Sequence, residues 1–184
     1  MKIDYKKLQT LDLAVFSGKG LINIVNKASL IGWNKIFSTD VATHLGLVVE
    51  WKGQYFIAET SLGGLQLNSI EKYLHKSGRN WLIDIIRHPV YDDKQKREDA
   101  ERRIAIDLQN EIKYDWKGFF GVFISLFGGR FVEDSDSYYC SEYCYRIMKP
   151  DVCDDFPDYF EIIVPPDDFY RLESFKSTGA LLNE

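Results

Sequence analysis

Residues 138–148 read Tyr138-Tyr139-Cys140-Ser141-Glu142-Tyr143-Cys144-Tyr145-Arg146-Ile147-Met148. Within them the apolar side chains recur at the spacing i, i+3, i+4, i+7 and i+8, which places them on one face of a helix; they are Cys140, Tyr143, Cys144, Ile147 and Met148. The preceding residues 133–137 are rich in helix-capping types, and Pro150 is expected to end a helix at Lys149. The sequence therefore predicts a short amphipathic helix that begins near Cys140 and packs on a core.

Cys140 lies in the first turn of this predicted helix. Unpaired backbone N–H groups and the positive end of the helix dipole favour a thiolate there, and the thiolate is the nucleophilic form of cysteine. The alternative is that Cys140 is a small buried hydrophobe, which is the better interpretation of an isolated cysteine. The choice between the two depends on whether a histidine lies in a suitable setting elsewhere in the chain.

Composition limits the classes of protein that this chain can represent. Its 184 residues, 45% of them hydrophobic, fit one domain (residues 1–184) with a sizeable core. The 23 basic residues are scattered among 28 acidic ones at a net charge of −5, which argues against nucleic acid or anionic lipid as a partner. We expect no secretory signal and no transmembrane segment, because the longest apolar run, 118–128, has about half of the ~20 residues that a spanning helix needs. Three cysteines without a framework spacing indicate reduced thiols and a cytoplasmic protein.

The rest of the chain alternates between strand and helix patterns. Strands are predicted at residues 11–16, 41–49, 55–60, 81–87 and 159–164, and helices at 21–28, 70–76, 92–112 and after Asp167-Asp168. Residues 118–127 would form a helix that is apolar nearly all round, either core or lipid-facing; core is favoured because basic flanks are missing. Residues 61–68 and 129–137 are expected to be loops, and 179–184 a loose tail.

A hairpin between two predicted strands brings His44 and Glu59 together. With Lys52-Gly53 as a two-residue turn, paired residues have numbers that sum to 105, so Glu59 lies opposite Gly46. Glu59 is then the diagonal neighbour of His44 on one sheet face, roughly 7 Å away across a residue without a side chain. A carboxylate in that place can hold one imidazole nitrogen and leave the other free to face Cys140.

Each member of this set also has a purely structural interpretation. His44 could be a satisfied core histidine, and Glu59 part of an ion pair at a sheet edge. Together, however, Cys140, His44 and Glu59 supply the nucleophile, base and orienting acid of covalent catalysis. His75 and His88, at a helix end and before a proline, are expected to be exposed.

Metal binding is the competing chemical interpretation, with Cys140, Cys144, Cys153 and a histidine as ligands. Their spacings match no common zinc pattern, and core packing accounts equally well for two cysteines on one helical turn. We therefore expect neither a metal nor an organic cofactor.

Five short motifs, in this order, carry a family resemblance: Asp12-Leu13 to Phe16-Ser17-Gly18-Lys19-Gly20; His44-Leu45-Gly46; Glu59-Thr60-Ser61; Tyr139-Cys140-Ser141-Glu142; Val164-Pro165-Pro166-Asp167-Asp168. The chain resembles the YiiX-like branch of the circularly permuted NlpC-type, papain-like cysteine hydrolases, which are related to the lecithin:retinol acyltransferase-like enzymes. The resemblance spans about residues 11–170 and rests on the order and separation of the motifs.

The resemblance implies a papain-like α+β fold, with an antiparallel sheet packed against helices and the histidine strand ahead of the cysteine helix. It implies Cys140 as nucleophile, His44 as base and Glu59 as the orienting residue; Tyr139 and Ser141, which flank the nucleophile, are the candidates for substrate contact. Leu11 departs from the family pattern, which prefers glycine before the aspartate, and this bears on the turn into the first strand.

The function predicted from the sequence is hydrolysis of an amide bond, in a peptide or a peptidoglycan-like fragment, through a thioacyl-enzyme. One alternative is hydrolysis or transfer of lipid or thioester acyl groups, with residues 118–127 as a wall for the acyl chain. An alternative of another class is a non-catalytic module that binds a peptide or lipid in the former cleft.

Overall fold

A computed structural model describes residues 1–18, 42–61, 63–75, 80–113, 138–158 and 166–182, the side chain of Cys153 excepted. The helix expected at 21–28, the apolar segment 118–127, the loop at 129–137 and the strand expected at 159–164 lie outside the described residues.

The described residues build an antiparallel sheet of six strands in the order β5-β4-β3-β2-β6-β7. Its members are β2 (Leu13–Gly18), β3 (His44–Trp51), β4 (Gln54–Ser61), β5 (Gly64–Ser69), β6 (Asn80–Arg87) and β7 (Lys176–Ser177). A separate pair joins β1 (Lys2–Ile3) to β8 (Leu181–Leu182). The strands predicted at 11–16, 41–49, 55–60 and 81–87 are confirmed, with ends that move by up to three residues.

Three α-helices are described: α1 (Lys94–Gln109), α2 (Cys140–Val152) and α3 (Pro166–Arg171). Short 3-10 turns occupy Tyr5–Lys7, Ile70–Tyr73, Pro89–Asp92 and Cys153–Asp155. Within the part of the chain that the structure describes, none of the helices is both long enough and apolar enough to cross a bilayer.

Helix α2 continues through Pro150, so the prediction that it ends at Lys149 is wrong. Arg103 of α1 holds the extra turn, because its guanidinium donates to the carbonyl of Ile147 (2.9 Å) and pairs with the carboxylate of Asp151. A proline near the C-terminus of a helix removes a single N–H donor, and here the contacts with Arg103 offset that loss.

The sheet carries a different core on each face, as the two-residue period of a strand requires. On one face, Leu13 and Val15 of β2 and Leu45 and Leu47 of β3 pack against the helices α1, α2 and α3. The alternate residues pack on the opposite face; they include Ala14, Phe16, Val48, Ile57, Leu82, Ile85, Ile70 and Tyr73. The fold is therefore α+β, with antiparallel sheets packed against helices.

Two segments expected to be irregular are ordered by pairing. Most of the predicted loop 61–68 belongs instead to the edge strand β5 (Gly64–Ser69), which pairs with β4. The expected loose tail is wrong for residues 179–182: Ala180 is fully buried, its carbonyl accepts from the N–H of Asp4 (2.8 Å), and β8 pairs with β1. Residues 64–69 pair with the strand directly before them, and residues 181–182 with a strand at the other end of the chain. Both segments were missed because they are short and of mixed polarity, so their sequence pattern does not indicate a strand.

Leu11 is a non-glycine residue with a left-handed backbone, at φ 71°. It is fully buried, and its N–H donates to the carbonyl of Val48 (2.8 Å) in the adjacent strand. The following Asp12 is also buried and stabilises this turn by accepting from the N–H of Gln9 (2.8 Å) and the guanidinium of Arg87 (2.6 Å). The position before Asp12 thus has a conformation suited to glycine, and the burial of a leucine side chain compensates for the strain.

We predict that Leu11→Gly and Leu11→Ala both destabilise the protein, by about 1–4 kcal/mol, because each removes buried apolar surface. The glycine variant should be the more stable of the two by about 1 kcal/mol, since alanine keeps the left-handed strain. Urea unfolding of both variants measures the difference.

The matched control is Leu13, which is equally buried but lies in the regular strand β2. There alanine should be more stable than glycine by about 0.5–1 kcal/mol. The same ranking of alanine over glycine at position 11 would contradict the assigned strain.

Candidate active site

The hairpin of β3 and β4 has the register predicted from its turn. Lys52 and Gly53 have φ values of 52° and 75°, the left-handed pair of a tight two-residue turn. Leu47 pairs with Ala58 and Val48 with Ile57, so the partner numbers sum to 105. Continued by one residue, this register places Glu59 beside Gly46 on the face that carries His44.

Gly46 allows the close approach of the two strands at this point. A methyl group at position 46 would lie 2.4 Å from Cγ2 of Ile57 and 3.2 Å from Cβ of Glu59. The first distance is far inside van der Waals contact, so a residue with a side chain would displace β4. The missing side chain also leaves room for the carboxylate of Glu59 to reach His44.

His44 and Glu59 are in direct contact, as the sequence predicted. Nε2 of His44 is hydrogen-bonded to Oε2 of Glu59, and the two side chains are only 12% and 5% exposed. The ring of Phe16 packs beside the imidazole at 5.5 Å between centroids. Since Nε2 is engaged by the carboxylate, Nδ1 is the ring nitrogen left to face another partner.

The second oxygen of Glu59 is bonded as well. Oε1 accepts from Nδ2 of Asn68 (2.8 Å) and from the hydroxyl of Tyr73. Burial by itself raises the pKa of the Glu59 carboxyl, but the charge and hydrogen bond of His44 and the hydrogen bond of Tyr73 outweigh it. The net pKa of Glu59 lies below its usual value, which keeps this buried group ionised.

Cys140 is the first residue of α2. The carbonyl of Tyr139 accepts the first helical N–H, that of Tyr143 (2.9 Å), and the carboxylate of Glu142 accepts from the N–H of Tyr139 (3.3 Å). This is half of a capping box, and it fixes the start of the helix at the cysteine. The prediction that Cys140 lies in the first helical turn is confirmed.

The thiol of Cys140 is hydrogen-bonded to the imidazole of His44. Burial raises the pKa of Cys140, but the imidazolium of His44 and the backbone N–H groups of Leu45 and Ser141 reverse this, so that the pKa lies below that of a free thiol. Burial likewise lowers the pKa of His44, and the charges of Cys140 and Glu59 raise it to about 10. The site therefore favours a thiolate–imidazolium pair.

Cys144, one turn further along α2, has the opposite environment. It is fully buried within the core between helix and sheet, and burial together with the nearby charges of Cys140 and Glu59 raises the pKa of its thiol well above the ordinary value. Cys144 is therefore a packed, protonated side chain. The difference between these two cysteines follows from one helical turn of separation.

The structure gives less support for the remaining site candidates. Tyr139 is 8% exposed and Ser141 is fully buried, with its backbone N–H bonded to the sulfur of Cys140. Their role in substrate contact stays a prediction. His75 is exposed as expected, but His88 is buried, where Nε2 bonds to Asp155 (2.7 Å) and Nδ1 accepts from the N–H of Val90 (3.2 Å).

Asn68 and Tyr73 are the site residues that the sequence analysis missed. The sequence pattern places Asn68 at the end of a loop and Tyr73 in a short helix, and it gives neither residue a relation to Glu59. The missing information was strand β5: once Gln66 pairs with Glu59, Asn68 becomes the diagonal neighbour of that carboxylate. An alternating polar pattern at Gln66 and Asn68 was the available signal, although it was too short to be decisive.

An apolar groove of about 620 Å³ lies between α1 and the strands β3, β4 and β5. Trp51, Phe56, Leu67, Ile104 and Leu108 are among its lining residues, and Cys140, His44 and Glu59 are not. This apolar groove is therefore separate from the thiol.

Comparison with known proteins identifies a fold and nothing finer. No protein-family model matches the chain. No curated protein matches its sequence. Among solved structures, the chain is similar to the crystal structure of the metalloprotein YiiX from Escherichia coli O157:H7, with a TM-score of 0.64 at 10% sequence identity over 97% of this chain and 98% of that one. The fold is thus YiiX-like along almost its whole length.

That neighbour is a metalloprotein, so the arrangement of the metal-donor side chains in this chain bears on its own chemistry. Among the described residues, no three His, Cys, Asp or Glu side chains are arranged to hold a metal ion. His44 has one nitrogen bonded to Glu59 and is also bonded to Cys140, so these donors engage one another. The described side chains do not fit a resident metal, and no metal enters the mechanism below.

The close approach at Gly46 leads to a first prediction about the site. Gly46→Ala should destabilise the protein by about 1–3 kcal/mol, because the new methyl group collides with Ile57. It should also slow the alkylation of Cys140, since Glu59 follows β4 away from His44.

The double variant Gly46→Ala/Ile57→Ala removes the colliding methyl group. Its loss in unfolding free energy should be smaller than the sum of the single losses by about 1 kcal/mol. Strictly additive losses, measured by chemical unfolding, would show that the contact does not constrain the hairpin.

The electrostatics of the site lead to a second prediction. A free thiol with a pKa of about 8.5 is less than about 1% ionised at pH 6. Because the pKa of Cys140 is lowered, its thiolate forms at a lower pH than the thiolate of a free cysteine. The pKa of about 10 for His44 keeps its imidazolium present until the pH reaches that value. Brief treatment with iodoacetamide at pH 6, followed by peptide mass analysis, should therefore label Cys140 ahead of Cys144 and Cys153.

His44→Ala removes the cationic partner and should abolish the preference for Cys140, whereas Cys144→Ala should leave it intact. If another cysteine reacts first, or if Cys140 reacts only after denaturation, Cys140 is a structural hydrophobe.

Proposed function

We propose that this protein is a cysteine hydrolase of the circularly permuted, NlpC-type papain-like kind, which cleaves an amide bond in a peptide or a peptidoglycan-like fragment. The observation that supports the proposal most directly is the hydrogen-bonded series Cys140, His44, Glu59, with the thiol at the first residue of a helix. The YiiX-like fold and the order of the sequence motifs are consistent with it.

In the proposed reaction, the thiolate of Cys140 attacks the carbonyl carbon of the scissile amide and forms a tetrahedral intermediate. The backbone N–H of Cys140, at the positive end of α2, stabilises the oxyanion. The imidazolium of His44 gives its proton to the leaving amine, the C–N bond breaks, and a thioester of Cys140 remains.

Hydrolysis of that thioester restores the enzyme. Neutral His44 takes a proton from a water molecule, which attacks the thioester carbonyl, and the acid product leaves as the thiolate of Cys140 is regenerated. Glu59 makes no bond to substrate in either half-reaction. It holds Nε2 of His44 and stabilises the imidazolium, which leaves Nδ1 for the sulfur.

The alternatives predict different substrates. An acyl hydrolase or acyltransferase would prefer a lipid ester or a thioester, and its acyl-chain wall was expected at 118–127, outside the described residues. A non-catalytic module would bind a peptide or lipid without turnover.

A cytoplasmic location is a further part of the proposal. It is supported by the free thiols of Cys140 and Cys144 within the described residues.

A parallel screen of aminoacyl amides, short-chain esters and thioesters tests the proposal. We expect turnover of amides, complete loss in Cys140→Ala, and a loss for Glu59→Gln that is smaller by at least about tenfold, because Glu59 orients the base without bonding to substrate. Cys144→Ala is the matched control and should retain activity.

Faster turnover of esters or thioesters would indicate the acyl-transfer alternative. Ligand binding that survives Cys140→Ser, with no turnover by the parent protein, would indicate a binding module. Equal losses for Cys140→Ala and Glu59→Gln would assign Glu59 a more direct role or a structural one.

A further inference from the structure

The carboxylate of Glu59 is held by more than His44. Its Oε2 faces the imidazole, whereas Oε1 accepts from the amide of Asn68 on β5 and from the phenol of Tyr73 on the 3-10 turn after it. The three donors come from three different elements: β3, β5 and the 3-10 turn Ile70–Tyr73. They leave the carboxylate little freedom to rotate about its terminal bond.

We propose that Tyr73 and Asn68 are positioning residues of the site: by binding Oε1 of Glu59, they direct Oε2 to Nε2 of His44 and thereby aim Nδ1 at Cys140. This inference rests on the proposed function for its catalytic meaning. Its structural content, the orientation of the imidazole, can be tested without a substrate.

Tyr73 is well placed for this task. It is 3% exposed, and the ring of Phe16 packs against it at 4.8 Å between centroids while also packing against the imidazole of His44 at 5.5 Å. A phenol in this position is a neutral donor that can neither leave nor ionise readily, because burial and then the charge of Glu59 raise its pKa. One aromatic side chain thus holds both the imidazole and the phenol in place.

Asn68 is oriented in turn by Lys72. The ammonium of Lys72 donates to Oδ1 of Asn68 (3.0 Å), which identifies that atom as the carbonyl oxygen and directs the amide NH₂ toward Glu59. The order of donation is therefore Lys72 to Asn68 to Glu59. Lys72 is exposed, so its own contribution through charge is screened by solvent.

The charged and titratable groups around Glu59 determine how the loss of the Tyr73 hydroxyl affects the site. They are His44 from β3, Tyr73 and Lys72 from the 3-10 turn, and Cys140 and Cys144 from α2. If Tyr73 only withdrew charge from the carboxylate, its removal would strengthen the bond from Glu59 to His44. If Tyr73 positions the carboxylate, its removal lets Glu59 rotate, the imidazolium loses support, and the thiolate of Cys140 becomes less stable.

The two possibilities differ in the sign of a measurable effect. In Tyr73→Phe and in Asn68→Ala, we expect the apparent pKa of Cys140, from the pH profile of iodoacetamide alkylation, to rise. The alkylation rate at pH 6 should fall by about tenfold, the size usual for groups that orient a functional side chain indirectly. An unchanged or lower apparent pKa in both variants would overturn the proposal.

Tyr91→Phe is the matched control. Tyr91 is fully buried and its hydroxyl also donates to a carboxylate, that of Asp151 (3.3 Å), but it lies outside the site. This variant loses the same kind of hydrogen bond and should leave the alkylation profile of Cys140 unchanged. An equal change in Tyr91→Phe would indicate a general loss of stability.

A second readout keeps the inference separate from the proposed function. The Nε2 proton of His44, detected by nitrogen-edited NMR, should resonate far downfield in the parent and move upfield in Tyr73→Phe and Asn68→Ala, as its bond to Glu59 loosens. His75→Gln and His88→Gln assign the resonance, since the chain has three histidines.

An inert Cys140 in the parent would end the hydrolase proposal, and the NMR shift would still decide the positioning roles of Tyr73 and Asn68. An Nε2 proton signal that is unmoved in both variants would overturn those roles even if Cys140 proves reactive.

Discussion

The register of the hairpin between β3 and β4 is the constraint on which the rest of the site depends. A tight turn at Lys52-Gly53 sets that register, and the missing side chain at Gly46 allows the strands to approach closely opposite Glu59. Because side chains alternate between the two faces of a strand, a slip of one residue would move Glu59 to the face that packs on the helices. The contact between His44 and Glu59 is thus a consequence of backbone geometry that is decided several residues away.

A buried carboxylate is costly unless its charge is compensated, and the arrangement around Glu59 supplies the compensation from three sides. The imidazolium of His44 contributes the opposite charge, while Asn68 and Tyr73 contribute donors to the other oxygen. The same arrangement links the carboxylate to the thiol, because the imidazolium that stabilises Glu59 also stabilises the thiolate of Cys140. One network of hydrogen bonds therefore both compensates the buried charge of Glu59 and activates the thiol of Cys140.

The fold and the site support the proposed function to different degrees. Similarity to YiiX at 10% identity establishes a shared architecture, and one architecture can serve several chemistries. The hydrolase proposal therefore depends on the hydrogen bonds among Cys140, His44 and Glu59. The buried turn at Leu11 and Asp12 contributes indirectly: it bonds to Val48 in β3, the strand that begins at His44.

The sequence by itself determined the local features: the α2 pattern with Cys140 in its first turn, the hairpin turn, and the register that sets Glu59 opposite Gly46 and within reach of His44. These depend on residues close together in the chain, where periodicity and turn chemistry decide the structure. Only the tertiary structure decided that α2 passes through Pro150, that residues 181–182 pair with β1, and that Asn68 and Tyr73 bind Glu59. The first two depend on partners far away in the chain, Arg103 and Lys2–Ile3, which a local pattern cannot identify. The third depends on β5, which directly follows β4 but is too short and too mixed in polarity for its pattern to predict a strand.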